Sequence, residues 1–164
     1  RSELMQGAYK KFNQELFDET DAMVRAAVTR HVELVSGLMC QDNDDKYGPD
    51  LVIYKSGAPT YYLEVEQKRV WRSPDPKELG KGRSNFPWAS VQLPERKAKF
   101  CRMELPLEFW ILREDLAAAV VIPDWLVLQS PLVEVPNKYI QSGERFFQIP
   151  IDQCIYVELQ GLYA

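Results

Sequence analysis

The stretch from Thr60 to about Val70 leaves the chain little freedom, because it reads as a β-strand with a charged stripe. Successive side chains of a strand turn to opposite faces. Tyr62, Glu64, Glu66 and Lys68 therefore share one face, and Tyr61, Leu63, Val65 and Gln67 share the other. Asp50 to Tyr54 reads as a shorter strand before it. Ser56-Gly57-Ala58-Pro59 supplies a turn between the two, so a β-hairpin is expected.

That hairpin sets Pro49-Asp50 at the head of its first strand and Glu66-Gln67-Lys68 far along its second. Two carboxylates and one ammonium can then surround a single point. Mg²⁺ takes hard oxygen ligands and keeps several waters. Once bound, it lowers the pKa of a water and neutralises charge on a phosphate. Asp50 and Glu66 are the candidate ligands. Lys68, one side-chain step beyond Glu66, can hold the attacking water or help deprotonate it. Without a cation, Asp50, Glu64 and Glu66 would repel one another and raise each other's pKa. Glu64 itself receives no role. Glu-x-Glu-x-Lys is also the pattern of a solvent-facing antiparallel strand.

The charge map separates these readings. Net charge over the 164 residues is −4. Lys68 to Arg102 nevertheless holds ten Lys/Arg against three acids, while both flanks are acidic. Half of all the basic residues thus lie in one segment that begins at Lys68, including Lys77, Lys81 and Arg83. A local basic stripe is the footprint of phosphate contact. A solvated loop with no partner has the same composition. Trp71, Phe86 and Trp88 bracket this segment. They suit either stacking on unpaired bases or pinning the loop to the core.

Other chemistries are disfavoured. The chain has one histidine, His31, and three scattered cysteines, Cys40, Cys101 and Cys154. These counts argue against a catalytic triad, a paired-His zinc site and a disulfide framework, and suggest reduced, buried thiols. Asp42-Asn43-Asp44-Asp45 hints at a calcium loop, but Lys46 and Tyr47 stand where an EF-hand needs an oxygen ligand and a glycine. Gly80-Lys81-Gly82-Arg83 lacks the Walker frame. No apolar run is long enough to cross a membrane. The first residues carry no signal-peptide core, so a cytoplasmic or other intracellular protein is expected.

A single domain is expected, with a β-rich C-terminal extension over about 123–164. One helix is expected from Glu3 to about Phe17. A second is expected to start at Thr20 as N-cap and to stop at Gly37. Leu38 to Gln41 suggests a short strand. Trp71 to Trp88 reads as a long loop. Pro94 opens a short helix to about Met103, and Leu107 to Leu112 and Ala117 to Ile122 read as strands.

Pro49-Asp50, fifteen intervening residues and Glu66-Gln67-Lys68 together resemble the PD-(D/E)xK nuclease superfamily. That group includes restriction endonucleases, Holliday-junction resolvases and recombination nucleases. The resemblance implies an α/β, restriction-endonuclease-like core of order αβββαβ, a mixed sheet flanked by helices, covering residues 20–122. It implies a Mg²⁺-dependent deoxyribonuclease, with Mn²⁺ able to substitute, that hydrolyses DNA phosphodiesters with metal-activated water. Asp50 and Glu66 would bind metal, and Lys68 would be the catalytic lysine. Many members add a glutamate from the first helix, for which Glu33 is the best-placed candidate, with Glu15 and Glu19 competing. Many also carry a basic or glutamine residue on the helix after Glu-x-Lys. Gln92, Arg96 and Lys97 occupy that region as candidate substrate-binding residues. DNA is the expected partner, with no membrane, and a homodimer is one assembly the reading allows. Two rivals stand beside it: a non-catalytic nucleic-acid-binding protein of the same fold, and a protein-interaction domain.

Overall fold

The computed structural model describes residues 3–74, 85–137 and 140–161, with the backbone alone for 3–18, 137 and 140–142. Its first element is one continuous helix, α1 (Glu3–Ser36). Two helices with an N-cap at Thr20 were expected. Glu19-Thr20-Asp21 contains neither Gly nor Pro, so nothing there stops an α-helix. The stop comes at Gly37, whose φ of 72° is left-handed and whose N–H donates to Glu33 O at 3.0 Å.

Among the described residues nine strands follow α1. They are β1 (Met39–Asp42), β2 (Leu51–Lys55), β3 (Ala58–Lys68), β4 (Ser90–Pro94), β5 (Leu107–Arg113), β6 (Ala118–Pro123), β7 (Leu132–Asn137), β8 (Ile140–Pro150) and β9 (Ile155–Glu158). A 3₁₀ helix spans Glu95–Arg102, and a short helix α2 (Asp124–Gln129), absent from the sequence reading, follows β6. The main sheet is mixed, six strands in the order β1-β2-β3-β5-β6-β9. The pair β3·β5 is parallel and its other pairs are antiparallel. A second, antiparallel sheet has the order β4-β8-β7.

The β2–β3 hairpin forms as expected. Ser56 and Gly57 at its tip have φ of 53° and 79°, the left-handed pair that matches strand twist. Register pairs Leu51 with Leu63 and Ile53 with Tyr61. The parallel partner β5 places Glu64 beside Phe109, Glu66 beside Ile111 and Lys68 beside Arg113.

The main sheet is covered on both faces. On one face Val24, Ala27, Val28 and Val32 of α1 pack on Leu51, Ile53, Leu63, Val65, Trp110, Leu112 and Val121. The other face carries Phe109, Ile111, Val120 and Ile122 against Val91, Leu93, Phe147 and Ile149 of the second sheet, with Phe100 and Val127 closing the end. Burial on both faces is why β6, and β5 from Phe109 to Leu112, read as apolar runs. The second sheet, rather than a helix, is the main cover of that face. The C-terminal stretch supplies α2, two strands of the second sheet and the edge strand β9 of the first. No helix among the described residues is long and apolar enough to cross a membrane.

Face assignment along β3 places the site. Leu63 and Val65 pack toward α1. By alternation Glu64, Glu66 and Lys68 turn to the opposite face, toward β4 and the 3₁₀ helix.

Candidate functional site

Asp50 precedes the first residue of β2, and the acidic loop before it is its brace. Asn43 Nδ2 donates to Pro49 O at 2.9 Å, and Asn43 N–H donates to Asp50 O at 2.9 Å. Asp45 and Tyr47 N–H groups are taken by Asn43 Oδ1 and Asp45 Oδ1. A Cβ on Gly48 would come within 2.8 Å of Asn43 Nδ2, so a side chain there would push the Asn43 amide off Pro49 O. Asn43 and Asp45 thus each spend a side-chain oxygen on the loop's own backbone, and Asp42 pairs with Arg25.

Asp50 is tied to β3 at both ends. Its Oδ2 accepts the Val65 N–H at 2.9 Å, and its own N–H donates to Glu64 Oε1 at 3.2 Å. The other Glu64 oxygen, Oε2, pairs with Lys97 Nζ at 2.5 Å. Lys97 comes from the 3₁₀ helix, and Glu64 is among the few buried charged residues. Burial, then the hydrogen bond and repulsion from Glu64, push the Asp50 acid from 3.8 up to about 7. Glu66 is reached by solvent through the cleft. Protein atoms crowded around its carboxylate still push its acid upward by desolvation, opposed by Lys97, Lys68 and Arg96.

Lys68 takes a different course. Its Nζ lies 5.1 Å from the centre of the Trp88 ring, a cation–π distance. Trp88 meets Phe86 edge-on at 5.2 Å, and Phe86 meets Trp71 at 5.1 Å. Trp71 is wholly buried while Trp88 is 39% exposed. The aromatics thus form a ladder from core to surface, whose outer rung carries Lys68.

These groups line an open cleft of about 680 Å³, walled by Asp50, Glu64, Glu66, Arg69, Arg96 and Lys97, with Thr20, Asp21 and Val24 of α1 opposite. A second cavity of about 670 Å³ lies by Asn85, Val120, Ile151, Asp152, Cys154 and Tyr156. That cavity has one carboxylate and no Lys or Arg in its lining. Burial raises the Cys154 thiol to about 11, which leaves it unreactive. The charged cleft is therefore the candidate site.

The sequence candidates fare unequally. Asp50, Glu66, Arg96 and Lys97 meet at the cleft, and Lys68 acts on Glu66 from its edge. Arg96 is 70% exposed at its side chain and pairs with Glu144 at 2.9 Å. Gln92 is not brought in. It is exposed on β4 opposite Gln148, between the inward-facing Val91 and Leu93. Glu33 is not brought in either. It is exposed in the last turn of α1, and its charge is felt at Cys40. Twelve residues separate it from Asp21, which puts it about 18 Å along the helix from the cleft wall. Glu19 is exposed and outside the lining. The Glu15 side chain lies outside the described residues, as do Lys77, Lys81 and Arg83 of the basic segment.

Two participants escaped the sequence reading, the buried Glu64 and the Trp88 rest for Lys68. Glu64 had a signal, because it shares the face of Glu66 and stands opposite Asp50 in the hairpin register. Among the described residues no group of three or more His, Cys, Asp or Glu is arranged to hold a metal ion. Asp50 and Glu66 offer two hard carboxylates, and crowding has raised both acids. A donor set of that kind suits Mg²⁺, which needs only one or two protein carboxylates beside waters and phosphate oxygens. No protein-family model matches the chain, and no curated protein matches its sequence.

Proposed function

We propose that the protein is a Mg²⁺-dependent nuclease that hydrolyses DNA phosphodiester bonds in the cleft at the head of β2 and the end of β3. The observation that carries this reading is the crowding of Asp50, Glu64 and Glu66 in one cleft whose rim is basic. Raised carboxyl pKa values in a cleft mark a site built for another cation. The element order supports the same reading. A helix, three antiparallel strands and a later strand parallel to β3 agree with part of the αβββαβ order of a restriction-endonuclease-like core, while the crossover between β3 and β5 carries β4 and a 3₁₀ helix in place of an α-helix.

Asp50 and Glu66 would hold Mg²⁺, and Mn²⁺ in its place. Bound there, the ion would lower the pKa of a water and neutralise charge on the scissile phosphate. Asp50 is fixed for this by the Val65 N–H, which donates to its Oδ2. Lys68 orients the attacking water and offsets the negative charge of Glu66. Arg96 and Lys97, in the wall of the same cleft, would offer N–H donors to a phosphate once released from Glu144 and Glu64. The test is cleavage of plasmid and of single-stranded DNA with Mg²⁺ or Mn²⁺. Asp50→Asn, Glu66→Gln and Lys68→Ala should each lower the rate by about 100-fold or more. Full cleavage by all three would refute the assignment.

One observation favours a second reading, a nucleic-acid-binding protein of the same fold without catalysis. The Lys97–Glu64 pair neutralises one carboxylate internally. On that reading DNA binding is salt-sensitive and no divalent ion binds, so a Mn²⁺ titration separates the two.

A further inference from the structure

Two lysines act on the acids of the cleft, Lys97 in its wall and Lys68 beside it, and the one that meets a carboxylate is not the one in the Glu-x-Lys pattern. Lys68 rests on Trp88 at 5.1 Å. Lys97 lies 2.5 Å from Glu64 Oε2, and Glu64 Oε1 in turn takes the Asp50 N–H. Lys97 is also the foremost of the cations acting on Glu66, ahead of Lys68 and Arg96, and it acts on Asp50 as well. Its charge therefore reaches Asp50, Glu64 and Glu66, three of the four acids that line the cleft. Its side chain is 25% exposed against 9% for Glu64, so the ammonium has a path to solvent while the carboxylate has little.

We propose that Lys97 is the resident counter-ion of the cleft, held by Glu64, and that it competes with a divalent cation for the same carboxylate charge. Entry of the ion releases the ammonium, which then becomes a phosphate contact. Lys97 is in this sense a positioning residue that makes ion and substrate binding cooperative. The inference rests on the nuclease reading, because it needs an ion at Asp50 and Glu66. The physical argument is simple. Two cations within a few ångströms repel, so an ion approaching Asp50 and Glu66 weakens the Lys97–Glu64 pair, and that pair weakens the ion by the same factor.

The test is a Mn²⁺ titration of the full chain, with free Mn²⁺ followed by its electron paramagnetic resonance signal. Lys97→Gln should bind Mn²⁺ about tenfold more tightly than wild type, and Lys97→Arg should bind like wild type. In a Glu64→Gln background the effect of Lys97→Gln should shrink to about threefold or less. That double variant also buries no unpaired charge, so it remains measurable if the single variant does not fold. A second readout is the salt dependence of DNA binding. Lys97→Gln should leave the slope unchanged in EDTA and lower it by about one with Ca²⁺ present, because one phosphate contact is lost only when the ammonium has been released. Unchanged or weaker Mn²⁺ binding by Lys97→Gln, or a full effect in the Glu64→Gln background, overturns the inference alone. Absence of Mn²⁺ binding by wild type and variants alike overturns the nuclease reading and this inference with it.

Discussion

Asp50 stores free energy that a neutral isostere should release. In the folded protein burial and Glu64 push its acid from 3.8 to about 7. Between those values the folded state binds more protons than the unfolded chain. Stability therefore falls as pH rises through this window, and the group contributes nothing to the slope below it. Fully ionising Asp50 in the fold costs at most ~4 kcal/mol on this account. Relaxation and water in the open cleft discount that figure, and about half of it, ~2 kcal/mol, is expected to appear in unfolding. Asparagine keeps an oxygen for the Val65 N–H and cannot carry the charge. In EDTA, Asp50→Asn should match wild type near pH 4 and exceed it by ~2 kcal/mol at pH 8. For a domain of this size that is a Tm difference of about 4–8 °C. The assay is thermal unfolding of both proteins by circular dichroism from pH 4 to 8. Parallel Tm curves, or an Asp50→Asn protein less stable at pH 8, would refute the reasoning. Adding Mg²⁺ at pH 8 should then raise the wild-type Tm and leave that of Asp50→Asn nearly unmoved, since an ion stabilises only the state that binds it.

The sequence candidates that the cleft excludes should be silent: Glu33→Gln and Gln92→Ala are expected to leave Mn²⁺ affinity and cleavage within about twofold of wild type, and a tenfold loss in either would place it back in the site. His31 is buried, which lowers its pKa, and its Nδ1 accepts the Gln160 N–H at 2.9 Å. It is therefore neutral in the fold, and stability should fall as pH drops below about 6.5 and on through the lowered folded value. Unfolding of wild type and His31→Gln at pH 7.5 and 5 checks this, because only wild type should carry that part of the loss. Arg113 grips Asp115 through Nε and Nη2, each at 2.9 Å, bonds Asn85 at 3.2 Å and lies 6.0 Å from the Trp71 ring. Arg113→Lys loses the fork and should cost ~2 kcal/mol in urea unfolding, whereas a cost under 0.5 kcal/mol would show that the fork contributes little.

Some of this was legible before any coordinates. Alternation along Thr60 to Lys68, with the turn at Ser56-Gly57, sufficed for the hairpin and for the shared face of Glu64, Glu66 and Lys68, because strand periodicity is a local property. Gly37 marked the end of α1 for the same reason. What failed was non-local. The expectation for Glu33 assumed that the end of the helix would lie over the site. One uninterrupted helix of 34 residues instead lays Thr20 and Asp21 there. Gln92 was placed in the region of the helix after Glu-x-Lys as a substrate-binding candidate, but Ser90 to Pro94 pairs with β8 across more than fifty residues, and no local signal announces that partner. The cover of one face by a small sheet depends on the same long-range pairing.

Glu64 is the instructive case between these limits. Its face was visible, yet a carboxylate with no assigned task reads as a solvent-facing strand residue. Its task is set by Lys97, which arrives from a 3₁₀ helix thirty-three residues on. A single strand pattern therefore underdetermines which acid faces the open cleft and which holds the lysine. The two differ in what they touch rather than in what they are. Glu66 opens to the cleft and is opposed by three cations at a distance. Glu64 is buried and committed to one cation by direct contact. Exchanging their surroundings would exchange their roles. The cleft thus gains its chemistry from three elements at once: the Asp50 brace, the β3 face and the cation supplied by the crossover.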